Sequence, residues 1–423
     1  MRRMGSVAAG VAVAMQAGAA TSPAIRADAA SAVYPCGAVA SVGVSFAGGP
    51  SSGVAEAWAD DGWTNVLWRA TADLSKERTL RAELTRATPG TVRIHAKAPR
   101  MAEALDRVVF GLDDIKPLTP CPEGFDDYWR GEREHLDREV PLDARMERAP
   151  DLDTPDHELH RISFATFNGR RVYGFLALPR GAAAFARFPF VVNVPGAGPG
   201  LHTVEKRILR KGWGGVTLNL HCFPPGRDAA SQKAAYGRWF EEYAKAKGEP
   251  RYQYVGYSES REAPIYHDAY LGMVRALDWL AQRPFADPGR IVYYGCSQGG
   301  GSGIYLAGLW GRFSKVLFLC PNKCDMLSYL KGRVPGTSHI FNQKPENRAR
   351  AEEVAPWHDA CNFARQISCP VRMVHGLSDD NCNPEGAIAA FNVMPSAEKK
   401  LILLPGRKHG WIPAGQDKWL FAP

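Results

Sequence analysis

The chain has 423 residues, of which 45% are hydrophobic and 23% charged, and its net charge is +8. This length and mix support a sizeable core and two or three domains, and exclude a disordered or fibrous chain. The positive balance does not make a nucleic-acid footprint, because basic residues are interspersed with acidic ones and no basic run is interleaved with aromatics.

The N-terminus reads as a targeting leader. Arg2 and Arg3 precede an apolar stretch from Val7 to Ala20, and Ala-x-Ala patterns follow at Ala17-Gly18-Ala19 and Ala27-Asp28-Ala29. Charged, apolar and small-residue regions in that order predict export, to the periplasm or out of the cell. On this reading residues 1–33 are signal peptide and flexible N-terminus. No later stretch offers ~18 consecutive apolar residues, so no membrane span is expected.

Residues 34–116 carry short apolar–polar alternations punctuated by Gly, Pro and Ser. In the clearest, Val92, Ile94 and Ala96 alternate with Arg93, His95 and Lys97. Period-two patterning of this kind predicts a small β-sandwich-like domain. Its Trp58, Trp63 and Trp68 read as core rather than as a sugar platform. Ile115-Lys116-Pro117-Leu118-Thr119-Pro120 then reads as a linker, since its prolines discourage regular structure.

Residues 117–423 have a different rhythm. A helical pattern over Phe125–Val140 is followed by near-continuous apolar runs at Phe188–Val194, Gly215–Leu220, Ile291–Tyr294, Val316–Leu319, Val371–His375 and Leu401–Leu404. Helical stretches such as Tyr266–Gln282 and Gly301–Trp310 lie between them. Strands buried on both faces and alternating with helices predict a doubly wound, mostly parallel α/β sheet. The stretch from Ser231 to Ala263, rich in Tyr, Trp and charge, is expected to cover the site.

The strongest chemical signal is Gly295-Cys296-Ser297-Gln298-Gly299-Gly300-Gly301, directly after a strand and directly before a helix. A Gly-x-Ser-x-Gly turn in that setting is a nucleophile elbow of the α/β-hydrolase kind: the serine sits on a turn so tight that only flanking glycines let strand and helix approach. Serine needs a base, and the base an orienting acid. In this fold the chain order is Ser, acid, His, with the last two on loops beyond strand ends. Asp379 follows Val371–His375, and His409 follows Leu401–Leu404. Asp380 is the alternative acid. His375 reads as a packed core residue, His267 as a structural partner of Asp268, and His339 and His358 lack a preceding strand. The oxyanion donors are expected to be the backbone N–H groups of Gln298 and Ala197, the latter in the Gly-rich loop after Phe188–Val194.

Nine cysteines is an odd number, so in an oxidising compartment at least one stays unpaired. Cys296 reads as a small, buried apolar neighbour of the serine. Cys320 and Cys324 lack a second pair at metal-ligand spacing, so no metal is expected, and the chemistry needs no cofactor.

These residues resemble the acetyl xylan esterase and cephalosporin-C deacetylase family, carbohydrate esterase family seven. The family's Gly-x-Ser-Gln-Gly-Gly stands at Gly295–Gly300, its Gly-Leu-x-Asp acid loop at Gly376-Leu377-Ser378-Asp379, and its histidine loop at Gly406–His409. The resemblance covers roughly Gly124 to Leu420. It departs where the family's Arg-Gly-Gln becomes His221-Cys222-Phe223, where His-Glu becomes His409-Gly410, and where His-Gly-Tyr becomes Pro195-Gly196-Ala197. It implies deacetylation of carbohydrate esters through a Ser-His-Asp triad, and leaves a homo-oligomer open. Rival readings are another α/β-hydrolase activity (peptidase or lactone hydrolase, or another small acyl ester as substrate) and a non-catalytic carbohydrate-binding protein.

Overall fold

The computed structural model describes residues 21–62, 65–181, 186–335, 337, 340–410 and 415–422. The leader-like segment up to residue 20, Trp63 and His339 lie outside the described residues.

The N-terminal domain is built from two sheets. One is three-stranded, in the order β1 (Ala24–Ala27), β3 (Val39–Ser45), β6 (Thr79–Thr85). The other is five-stranded, in the order β2 (Val33–Tyr34), β8 (Ala104–Phe110), β7 (Gly90–Lys97), β4 (Val54–Asp60), β5 (Val66–Asp73). Ala40, Val42, Val44, Ala55, Ala57, Ala59, Val92, Ile94 and Ala96 are all 0% exposed, so the alternation seen in the sequence is the inner face of a sandwich.

Three expectations need correction here. Residues up to 33 are not all leader and flexible chain: β1 pairs antiparallel with β3, from Ala24↔Ser45 to Ala27↔Val42. Four residues, two of them alanine, resemble a leader's tail, and only their pairing marks them as a strand. Trp58 is not core. It projects from the outward face of β4, half-buried, stacked on His95 at 4.7 Å with Lys97 over its ring. Trp68 is half-buried as well and packs at the edge of the sandwich core. The segment 115–120 is not a loose linker. Ile115 is fully buried, and the Leu118 and Thr119 amides both donate to Asp325 Oδ1 at 2.7 Å.

The second domain opens with α1 (Phe125–Glu139) and centres on a nine-stranded sheet. Its strands are β9 (Arg145–Arg148), β10 (His157–Ala165), β11 (Arg171–Pro179), β12 (Phe188–Asn193), β13 (Gly214–Asn219), β14 (Ala286–Cys296), β15 (Lys315–Leu319), β16 (Val371–Gly376) and β17 (Lys399–Leu404). Across the sheet they run β17-β16-β15-β14-β12-β13-β11-β10-β9. From β13 to β17 every pairing is parallel, which matches the six apolar runs read in the sequence. The antiparallel edge β9–β11 was not read in advance: β9 is a short charged edge strand, and its partners mix buried and half-buried positions.

Helices α2 (Ala229–Tyr243), α3 (Ile265–Ala281), α4 (Gln298–Trp310), α5 (Pro345–Val354), α6 (Ala360–Ala364), α7 (Pro384–Asn392) and α8 (Lys418–Phe421) complete the domain. α3 and α4 are buried nearly all round, packed with α1 on one face of the sheet. Among the described residues no helix is long and apolar enough to cross a membrane. The two domains share a core, because Leu377, Ile388 and Ala389 of the second domain pack into the sandwich interior.

Candidate active site

β14 ends at Cys296 and α4 begins at Gln298, leaving Ser297 as the whole turn. Its backbone sits at φ 59°, ψ −121°. That left-handed conformation in a non-glycine residue costs on the order of 1–3 kcal/mol, and persists only where the surroundings enforce it. The enforcement comes from close approach. A Cβ on Gly295 would lie 2.3 Å from Gly299 O, and one on Gly299 would lie 2.0 Å from Val194 O. The Ser297 amide is tied to Leu319 O on the neighbouring strand at 2.9 Å.

β16 and β17 deliver the other two groups to the same edge. Asp379 is fully buried and Asp380 is exposed, which selects the first of the two candidates. Asp379 Oδ1 accepts the amides of Asn381 and Cys382, each at 2.9 Å. Its Oδ2 accepts from His409 Nδ1 at 2.8 Å, and Ser297 Oγ lies 2.9 Å from His409 Nε2. Burial pushes the Asp379 carboxyl up, but the His409 hydrogen bond, the nearby His375 and the backbone donors outweigh it, so its pKa lies below the usual value. Burial likewise pushes His409 down, yet the hydrogen bond to Asp379 and that carboxylate's charge raise it above 6.5.

The remaining histidines play other parts. His375 is buried, as expected of a core residue, but its Nδ1 lies 4.0 Å from Asp379 Oδ2. His267 is held between Glu132 and Asp268, as read from the sequence. His358 is buried, with Nε2 on Arg261 O at 2.6 Å.

Gln298 is the first residue of α4. The first intrahelical bond runs from Gly301 N to Ser297 O, so the amide of Gln298 precedes the helix ladder. The loop carrying Ala197 continues from Val194, which abuts Gly299. Ala197 itself is exposed. The stretch from Ser231 onward does lie over this region. Gln232 of α2 bonds Pro199 O, and the Tyr252 hydroxyl donates to Gln298 Oε1. His221 is boxed by Phe223, Tyr236, Trp239 and Tyr252, with ring centroids 4.8–5.9 Å from its own. Burial pushes its pKa down to about 3, so it is neutral. The sequence pointed to His221 only as a departure from the family motif and to Gln232 and Tyr252 only as part of the covering stretch; which of them reach the elbow is decided by the fold.

Cys296 is not a buried apolar neighbour. It is half-buried, with Sγ 3.5 Å from Cys320 Sγ. All nine cysteines are free thiols. Cys324 does not join Cys320; it lies against Cys361. One donor from each of Cys320, Asp379 and His409 lie within 4.8 Å of one another. Thiolate, imidazole and carboxylate are zinc-type ligands, but here the latter two are engaged with each other and with Ser297.

Residues 104–421 match the model of the acetyl xylan esterase (AXE1) family. The chain belongs to the acetyl xylan esterase family. It is a carboxylic-ester hydrolase acting on carbohydrate acetyl esters. Acetyl esterase Axe7A of Xylanibacter ruminicola is 25% identical over 308 residues, 72% of this chain and 67% of its own. The fold is shared with acetyl xylan esterase from Paenibacillus sp. R4 (TM-score 0.57, 21% identity, 73% of this chain and 96% of that one). It is shared equally with acetyl xylan esterase 1 from Thermoanaerobacterium sp. JW/SL YS485 (TM-score 0.59, 18% identity, 73% and 96%).

Proposed function

We propose that this esterase is exported and removes acetyl groups from the sugar hydroxyls of a polysaccharide such as acetylated xylan, through the triad Ser297, His409 and Asp379. The observation that carries the reading is the unbroken hydrogen-bond chain from Ser297 Oγ through His409 to Asp379 Oδ2, at 2.9 and 2.8 Å. His409 takes the hydroxyl proton as Ser297 attacks the acetyl carbonyl. Asp379 keeps the imidazole in the tautomer that leaves Nε2 free to accept, and stabilises the imidazolium that forms. The oxyanion is bound by the backbone N–H groups of Gln298 and Ala197, reinforced by the positive end of α4. His409 then protonates the departing sugar oxygen, and water, activated by the same histidine, releases acetate.

Export is supported by the leader-like order of charge and apolarity in residues 1–20. Cleavage after Ala17-Gly18-Ala19 would leave β1 intact, whereas cleavage after Ala27-Asp28-Ala29 would remove it.

The test is a substrate screen run with wild type and Ser297→Ala. Acetate release from acetylated xylan and p-nitrophenyl acetate should exceed turnover of longer acyl, peptide and lactone substrates, and Ser297→Ala should abolish it. Turnover surviving in Ser297→Ala removes the nucleophile assignment; a preference for long acyl chains, peptides or lactones removes the deacetylase reading.

A further inference from the structure

The sandwich reaches into the catalytic loops through one carboxylate. Asp106 lies on β8, in the N-terminal domain, and is 5% exposed. Its Oδ1 accepts the Ser378 hydroxyl at 3.1 Å, and its Oδ2 accepts the Gly406 amide at 2.8 Å. Ser378 immediately precedes the acid Asp379, and Gly406 stands three residues before the base His409. The next residue, Arg107, is 3% exposed and donates from Nη1 to Leu377 O at 2.6 Å, on the same acid loop. Burial pushes its guanidinium down to about 10, which leaves it charged at neutral pH.

The histidine loop lies at the surface. Pro405 to Lys408 are exposed. A cleft of about 310 Å³ lies beside them, lined by Ile25, Ala32, Asp106, Pro405 and Gly406 among others. The loop packs by its backbone on the acid loop, where a Cβ on Gly376 would meet Arg407 O at 2.1 Å, while the loop's tip faces solvent. The two loops also meet through backbone bonds, Leu377 N to Leu404 O at 3.0 Å and Ser378 N to Arg407 O at 3.1 Å. Asp106 grips both, one oxygen to each. The family match begins at Ala104, the first residue of β8, so this strand lies within the matched span although it belongs to the other sheet system.

We propose that Asp106, assisted by Arg107, is a positioning residue for the triad: it holds the acid loop and the histidine loop in register, so that the β-domain completes the active site rather than serving as a separate binding module. The proposal rests on the triad reading above. Displacing an imidazole by about 1 Å costs on the order of 100-fold in rate, so the expected effect falls on kcat.

The experiment compares Asp106→Ala, Asp106→Asn, Ser378→Ala and Thr91→Val with wild type and Ser297→Ala, all as the full chain. Turnover of p-nitrophenyl acetate is followed from pH 5 to 10, with active sites counted by a serine-directed phosphonate. Thr91 Oγ1 bonds Glu385 Oε2, on α7, at 2.8 Å across the same interface, so its variant controls for mere loosening of the domains. Asp106→Ala should lower kcat per active site by about 10- to 100-fold with KM nearly unchanged. It should also move the acidic limb of the kcat profile to lower pH, as the Asp379–His409 bond loosens and His409 falls back towards 6.5. Asp106→Asn, whose amide oxygen can keep one of the two bonds, and Ser378→Ala, which loses one, should lie between Asp106→Ala and wild type. Thr91→Val should match wild type in kcat and limb. If Asp106→Ala is insoluble, the latter two loop variants still decide. Wild-type kcat and an unmoved limb in Asp106→Asn and Ser378→Ala, or the same losses in Thr91→Val, overturn the proposal. Turnover in Ser297→Ala would instead bring down the triad reading beneath it.

Discussion

Ser297 and His409 stand 2.9 Å apart, yet they are held by different means. The serine owes its position to its immediate neighbours: Gly295 and Gly299, the strand that ends before it and the helix that starts after it. The histidine and its acid sit on loops gripped from a strand 272 and 300 residues away in sequence. A nucleophile elbow is a local device, written in one pentapeptide. The acid–base half is a tertiary assembly, and the small sandwich at the N-terminus is part of it.

Substitutions can test this contrast from both sides. The largest effect belongs to Ser297→Ala, which should lower kcat for p-nitrophenyl acetate by on the order of 10⁴-fold or more, with little change in melting temperature. Next come the Asp106 variants, which act on the base from the far domain. Gly299→Ala strikes the elbow instead. Its added methyl would meet Val194 O at 2.0 Å, so it should destabilise the fold by about 1–3 kcal/mol and lower kcat, seen in paired thermal-unfolding and turnover measurements. A wild-type melting temperature in that variant would show the elbow to be looser than its geometry.

The pH profile comes next. In the proposed mechanism His409 acts as base only when neutral, and its pKa lies above 6.5. Activity should therefore fall as pH drops through that raised value, giving an acidic limb centred above 6.5. The sign for stability is opposite: a raised histidine pKa stabilises the fold fully below about 6.5, and that contribution is lost as pH rises through the folded value. An acidic limb at or below 6.5 would contradict the Asp379–His409 coupling. The smallest effect is expected for Thr91→Val, which removes one interface hydrogen bond and should cost about 1 kcal/mol in denaturant titration.

Much of the site was legible in the chain. Gly295–Gly301 announced the turn, because such close backbone approach tolerates only glycine beside the serine. Asp379 and His409 could be picked out because each follows an apolar run of strand length. Asp380 could not be rejected until burial separated it from its neighbour. The six parallel strands were legible from their continuous apolar character. The edge strands β9–β11 were not, since their mixed burial blurs both periods.

What the sequence marked alone was therefore the candidate site: a serine in a glycine-flanked turn, and an aspartate and a histidine on loops after strands. Steric demands on a backbone turn and apolar runs of strand length act over a few residues, so they leave a readable mark. Only the tertiary structure decided that Trp58 faces outward, that Tyr252 reaches Gln298, and that Asp106 bridges the acid and histidine loops. Those contacts join residues tens to hundreds of positions apart, and a single aspartate on an alternating strand carries no sign of which loop it will meet once the sheets have packed.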